Sequence, residues 1–358
     1  MSASIPLSEK REWRRIVGTV GGVLLTLLII GGIVVLAIRG ANWYPNYSTL
    51  NYILTGRFAG EDFFDGFDYY QGHDVALGSA RYANQADARR LNLTYASVNS
   101  AVLRVDMRDD IAMPDVRTSA RIESKTVHNR GLFVFDIRHA PYGCATWSTL
   151  RISTRDLGDR GQIDVIGGVN LNNAGRQVAL RTPPRGNQAI LGSADWKCYS
   201  SSESDPDPVF SDREDMRGCR VTEREPMNGA AFNKRGGGVI AVEWRVEGIR
   251  AWLFQRHAVP ADLSNAVKGS MTSPNVTSWG EAFADFPYTD CDYMSQFKSS
   301  KIIVNIGFCG ELPGLAQAFD DESKCPGSCQ QYLSSQPGSA YSEAYWEFGG
   351  FWVFQPYR

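Results

Sequence analysis

From Ile16 to Ile38 the chain runs for 23 residues without a charged side chain, and it is rich there in Leu, Ile, Val and Gly. Inside lipid a backbone must satisfy its own hydrogen bonds, so such a run has one regular solution, a helix. At roughly 1.5 Å per residue this helix covers roughly 30 Å, the depth of a bilayer's hydrocarbon core. A cleaved secretory signal would have a shorter apolar core, about 7–15 residues, ending in small residues. Ala37, Ile38 and Arg39 make a poor cleavage site. The segment therefore reads as an uncleaved signal anchor. Lys10, Arg11, Arg14 and Arg15 precede it and only Arg39 closely follows, which holds the N-terminus in the cytosol. The expected plan is a cytosolic tail over 1–15, a transmembrane anchor over 16–38, a stalk over 39–50 and one large domain over 51–358. That plan predicts a single-pass type II membrane protein, its C-terminal domain lumenal or extracellular, in the plasma membrane or secretory pathway. Gly18, Gly21, Gly22, Gly31 and Gly32 would let two such helices approach closely, although glycine is common in membrane helices in general.

The part beyond the anchor is long enough to bury a sizeable core. With 35 Gly, 16 Pro, 17 Phe, 15 Tyr and 9 Trp, the chain suits many strands joined by tight turns. Basic and acidic side chains balance at 37 against 39, and no basic stripe neutralises phosphates, so nucleic acid is excluded as a partner. All seven cysteines, Cys144, Cys198, Cys219, Cys291, Cys309, Cys325 and Cys329, follow the apolar run, where an oxidising compartment permits disulfides. Up to three bridges are expected, with one thiol left over and connectivity unreadable. A zinc site at Cys325 and Cys329 has no second ligand pair to support it; neither metal nor cofactor is called for. Asn46, Asn92 and Asn275 each begin an Asn-X-Ser/Thr glycosylation triplet. Ser100–Asp106, Gly237–Val246 and Lys301–Ile306 read as strands, Glu61–Phe67 as an aromatic strand start, and the polar stretch Ser200–Arg220 as a surface loop. Long amphipathic helical patterns and internal repeats are absent.

Within that domain Gly161–Asn170, GQIDVIGGVN, carries the chemistry. Ile163, Val165 and Ile166 are apolar and β-branched, with Gln162 and Asp164 alternating between them. A strand puts Gln162 and Asp164 on one face. A single bulge would return Gly167 to that same face.

The spacing i, i+2, i+5 resembles the E-x-D-x-x-E row of the laminarinase-like branch of glycoside hydrolase family 16. The resemblance extends through Arg121–Lys125, Gly131–Trp147, Ala231–Gly238, Trp252–Phe254, Pro260–Leu263, Ile306–Gly310, Cys325–Cys329 and Ala344–Trp346. It is similar to a fungal laminarinase-type domain from about Tyr52 to the C-terminus. It implies an all-β, jelly-roll β-sandwich of the concanavalin A-like lectin/glucanase type behind the single transmembrane helix. In the family the first Glu is the nucleophile, the Asp supports it and the last Glu is the acid/base. This sequence has Gln162, Asp164 and Gly167 there, so only the middle carboxylate is kept. Other departures fall nearby. The family's W-P-A-x-W appears as Trp147–Arg151 without its Pro and second Trp, a usual His appears as Arg181, and a usual D-W appears as Glu311–Leu312.

Retaining glycosidases need two carboxyl groups about 5–5.5 Å apart. Gln162 cannot form the ester and Gly167 cannot deliver a proton; Glu123, Asp156 and Asp159 stand at other spacings. Three readings follow. The first is a catalytically degenerate domain that binds membrane or secreted proteins. The second is a carbohydrate-binding module gripping β-1,3-glucan through Trp147, Arg151, Asp164 and Arg181. The third is an active endo-β-1,3(4)-glucanase or transglycosylase, as the resemblance would imply. The first is preferred, with glucan binding close behind.

Overall fold

The computed structural model describes residues 7–41, 47–74, 78–109, 117–154, 161–171, 178–182, 207–210, 217–221, 228–269, 273–287, 297–310, 319 and 323–357. It divides into two units, Met1–Asn46 and Tyr47–Arg358. In the first, a helix α1 spans Leu7–Ala41 and contains Ile16–Val35, 20 residues long and apolar enough to cross a membrane. Of the segment read as a stalk, Arg39–Ala41 lie in this helix and Tyr47–Leu50 belong to the second unit.

The second unit is mostly antiparallel strand. Its first strands are β1 (Asn51–Phe58), β2 (Phe67–Tyr69), β3 (Gly72–His73), β4 (Arg81–Tyr82), β5 (Thr94–Ala96), β6 (Ala101–Arg104) and β7 (Thr118–Ser119). Next come β8 (Arg121–Ser124), β9 (Gly131–His139), β10 (Thr146–Ser153), β11 (Gln162–Val169), β12 (Val178–Thr182), β13 (Asp207–Phe210) and β14 (Arg217–Val221). The chain closes with β15 (Gly238–Trp244), β16 (Gly248–Phe254), β17 (Ala284–Pro287), β18 (Lys301–Phe308) and β19 (Tyr345–Tyr357). One sheet runs β17-β16-β15-β9-β19-β6-β5, with β1 also paired to β19; a second runs β13-β14-β12-β11-β10-β18-β8-β2, and β3-β4-β7 form a small third. This is the expected all-β sandwich.

Alternation explains the layers. Phe133, Phe135 and Ile137 of β9 face the core between the sheets, while Leu132 and Val134 face a second apolar cluster with Trp252, Leu263 and Trp279. Each face of β9 is thus buried, which is why its sequence is a nearly continuous apolar run. Gly237 enters β15 with φ +76, and a Cβ there would lie 1.9 Å from the Ile137 carbonyl oxygen, so only glycine fits.

Two expectations need correction. Glu61–Phe67 does not begin as a strand: Phe63–Gly66 form a 3-10 turn and the strand starts at Phe67. The turn buries the consecutive rings of Phe63 and Phe64, which strand alternation would send to opposite faces. Phe63 then stacks on Phe348, with ring centroids 5.7 Å apart. The stretch Ser200–Arg220 is not simply loop, since β13 and β14 pair as an antiparallel hairpin and β14 pairs with β12. The hairpin supplies partners to a β12 edge that would otherwise be open.

Among the described residues the disulfides are Cys144–Cys325 and Cys309–Cys329. Cys198, Cys291 and Asn46 lie outside the described residues, and Cys219 is described only as a β14 position. Asn92 and Asn275 are exposed.

His128 is buried at 5% exposure, edge-on to Phe133 with ring centroids 5.3 Å apart. Burial pushes its imidazole down from 6.5 to about 4. Between those pH values the unfolded chain takes up a proton that the folded chain refuses, so stability falls as pH drops through this window. In urea titrations of the full chain at pH 7 and pH 4.5, wild type should lose about 2 kcal/mol more than His128→Leu. Equal losses would contradict a neutral buried imidazole.

Candidate functional site

The pairing of β10 with β11 sets the geometry. Thr149 lies opposite Gly167 and Leu150 opposite Ile166, but Arg151 lies opposite Asp164, leaving Val165 as an extra residue. This is a one-residue bulge. Val165 and Ile166 both reach the core between the sheets, and the count of outward positions shifts by one. Gln162, Asp164 and Gly167 consequently share the outer face of this sheet.

The bulged hairpin is fixed at its far end by Asn170, which takes a left-handed φ of 53. Its side-chain Oδ1 accepts from the Ala145 N–H at 2.9 Å, and its own N–H donates to the Thr146 carbonyl at 2.9 Å. Ala145 stands beside Cys144, and the Cys309 N–H donates to its carbonyl at 2.8 Å. Both disulfides therefore brace this end of β10, β11 and β18.

On the outer face the Gln162 Nε2 donates to Asp164 Oδ1 at 2.8 Å. An amide thus occupies the first position of the row and is bound to its middle member. At the third position, Gly167 offers only backbone, whose carbonyl accepts from Asn228 Nδ2. A Cβ added at 167 would lie 3.3 Å from the Ser148 carbonyl oxygen, close but short of collision. Glu123 is on β8, three strands from β11, or roughly 14 Å at the usual strand spacing. It is held by Arg121 at 2.9 Å, with both side chains 1% exposed. Asp156 and Asp159 lie outside the described residues, as do Glu311 and Leu312.

Arg151 faces Asp164 across the bulge and is buried at 8% exposure. Burial and the Arg121 charge push its guanidinium down to about 10, against the opposing pull of Asp164, Tyr82 and Asp74. Its Nε has no hydrogen-bond partner. Trp147 is half-buried, on the same outward alternation as Thr149. Arg181 is paired to Gln162 through the backbone of β12, and its side chain lies outside the description.

Three contributors were not singled out from the sequence: Asn305, Tyr82 and Arg121. Thr149 Oγ1 donates to Asn305 Oδ1 at 2.6 Å, and Asn305 Nδ2 donates to the Tyr82 hydroxyl at 3.0 Å. Burial raises the Tyr82 phenol well above its ordinary value, so it stays protonated. The Arg121 guanidinium lies 4.7 Å from the Tyr70 ring centroid. For Asn305 a signal was present: one polar residue at an outward position of an otherwise apolar strand.

Comparisons with known proteins agree with this architecture. The family description "XgeA-like, catalytic GH16 domain" matches residues 67–354. A probable glycosidase of Schizosaccharomyces pombe is 32% identical, over 87% of this chain and 71% of its own length. A probable endo-1,3(4)-beta-glucanase of Aspergillus fumigatus is 31% identical, over 92% of this chain and 49% of its own length. The chain thus spans about half the length of that relative. Laminarinase 16A of Phanerochaete chrysosporium, solved with beta-glucans in donor and acceptor sites, is 30% identical with a TM-score of 0.72. That alignment covers 86% of this chain and all of the laminarinase chain. The chain belongs to glycoside hydrolase family 16, as a laminarinase-like domain.

Proposed function

We propose that this protein is a membrane-anchored, catalytically degenerate family 16 domain, acting as an interaction or glucan-binding module at the cell surface or in the secretory pathway. One observation carries the reading: the row that should bear two carboxyl groups bears an amide bound to Asp164 and a glycine. An amide has no anionic oxygen to attack the sugar carbon, and a glycine has no proton for the leaving oxygen. Lys10, Arg11, Arg14 and Arg15, ahead of the apolar stretch of α1, support a cytosolic N-terminus and a type II arrangement. Exposure of Asn92 and Asn275 suits glycosylation in a lumenal or extracellular space.

Beta-1,3-glucan is the ligand favoured by the similarity to laminarinase 16A, which was solved with beta-glucans bound. Trp147 offers a half-exposed indole face for a sugar's C–H surface. Arg151 and Asp164, paired on the same outer face, supply polar groups, and Arg181 is a further candidate from its register opposite Gln162. Full-length protein in detergent should be retained on insoluble β-1,3-glucan, and Trp147→Ala should weaken retention by about tenfold, the scale of one aromatic contact. Absence of retention would leave protein partners as the ligand class. The competing reading, an active endo-β-1,3(4)-glucanase, is favoured by the names of the relatives and by the description of the matching family as a catalytic domain.

A further inference from the structure

The chain enters the folded unit at one end of a sheet and is pinned there. The Tyr47 hydroxyl donates to Asp285 at 2.8 Å, its ring centroid lies 3.9 Å from the Arg250 guanidinium, and Arg245 donates to the Ser48 carbonyl at 2.7 Å. The β15–β16 turn stands at this same end, since Trp244 pairs with Gly131, the first residue of β9. So do the start of β1 and the last residues of β19: Asn51 pairs with Tyr357, and Gln355 Nε2 donates to the Arg130 carbonyl at 2.7 Å.

Apolar side chains gather where the chain enters. Among the described residues of this unit eight large hydrophobic side chains are exposed, and four of them are here: Ile53, Val127, Val246 and Tyr357, each between 46% and 53% exposed. Ile53 pairs with Gln355 and Asn51 with Tyr357, so Ile53 and Tyr357 share one face. Val127 and the exposed Lys298 stand beside Gln355, and Val246 lies in the β15–β16 turn. An exposed apolar residue alone is ordinary. Four at one end, with a tyrosine among them and a lysine alongside, suit the boundary between water and lipid.

The sequence leading in says what covers them. Ile16–Val35 is apolar enough to cross a membrane, and α1 runs on to Ala41. Five residues separate Ala41 from Tyr47, so the chain from Val35 to Tyr47 reaches at most roughly 30 Å. Two of the five, Trp43 and Tyr44, are of the types that settle at headgroup level, which shortens the free reach to roughly 10 Å. The 13 residues of β19 alone span roughly 43 Å. The tether is shorter than the sheet, so this end is the one it keeps near the bilayer. Resting on the membrane-anchored reading above, we propose that this end of the sandwich docks on the surface of the bilayer that the anchor crosses. Ile53, Val246 and Tyr357 enter the headgroup layer, and Lys298 meets lipid phosphates.

The test uses full-length protein in phosphatidylcholine vesicles, with a photoreactive benzoylphenylalanine in place of Ile53, of Tyr357 or, as a control, of Tyr95. Tyr95 is exposed too, but it is level with Glu347 through Val102, roughly 33 Å along β19 from Tyr357. Lipid adducts at 53 and 357 about tenfold above those at 95 are expected. Val246→Asp, a change at an exposed turn, should lower the adduct at 357 by about threefold. In protein that stays with the vesicles through an alkaline carbonate wash, three results would each overturn docking: equal labelling at the three positions, no lipid adducts, or adducts to a second copy of the chain in place of lipid. Release by carbonate would overturn the anchoring itself, and docking with it.

Discussion

Placing glutamate at both 162 and 167 is expected to give this protein laminarin-hydrolysing activity well above that of the wild type. The bulge at Val165 already places both positions on one face, so the restored side chains would stand as a retaining pair across the scissile bond. Gln162→Glu alone supplies a nucleophile and no acid, and Gly167→Glu alone supplies the reverse. The double variant should therefore exceed either single one by about 10²–10⁴-fold, the usual contribution of positioned proton transfer. Glutamate at 167 needs the Ser148 carbonyl to yield by a few tenths of an ångström, because the new Cβ starts 3.3 Å from it. Arg151, standing where the family has its second Trp, should leave glucan affinity lower than in active relatives. Reducing-end release by the four proteins checks this directly. A folded, glucan-binding double variant without activity would show that residues beyond the row have also changed.

The largest stability effect is expected at Glu243. This carboxylate is fully buried on β15 and accepts from the Tyr52 hydroxyl at 2.6 Å and from Arg250 at 2.6 and 3.0 Å. Arg245 stands 3.6 Å away and also donates to the Ser48 carbonyl at 2.7 Å. Arg250 lies 3.9 Å from the Tyr47 ring centroid, and the Tyr47 hydroxyl donates to Asp285 at 2.8 Å. Glu243 thus organises the charges that hold Tyr47–Tyr52 on the folded unit. Glu243→Ala leaves two guanidinium groups facing an empty site and should cost about 3–5 kcal/mol. Replacing Glu243 and Arg250 together with Met should cost less, since the stranded charge is removed with its partner. Urea unfolding of the three proteins decides it. A loss below about 1 kcal/mol for Glu243→Ala would mean that water reaches the cluster, as it does for surface pairs.

Local patterns were legible where one face alone sets the sequence. The sequence posed the bulge as a condition, since Gly167 joins the face of Gln162 and Asp164 only if one residue bulges, and the pairing with β10 puts that bulge at Val165. The deficits at Gln162 and Gly167 were visible only through the resemblance to the family's row. Tertiary closure hid the rest. Arg121, Tyr82 and Asn305 are up to 223 positions apart and meet only once β18 is seated between β10 and β8. Cysteine pairing was equally opaque, since Cys144 and Cys325 lie 181 positions apart. The β13–β14 hairpin escaped notice because Asp, Ser and Pro outnumber its few β-formers, and pairing with β12 overrides that local composition.

The claim beneath all this is that the cleft grips without cutting. Prolonged incubation of the full-length wild-type protein with laminarin, followed by reducing-end assay and mass spectrometry of the oligosaccharides, tests it most directly. The account predicts an unchanged oligosaccharide distribution. New laminari-oligosaccharides, released in proportion to enzyme and abolished by Asp164→Asn, would contradict it.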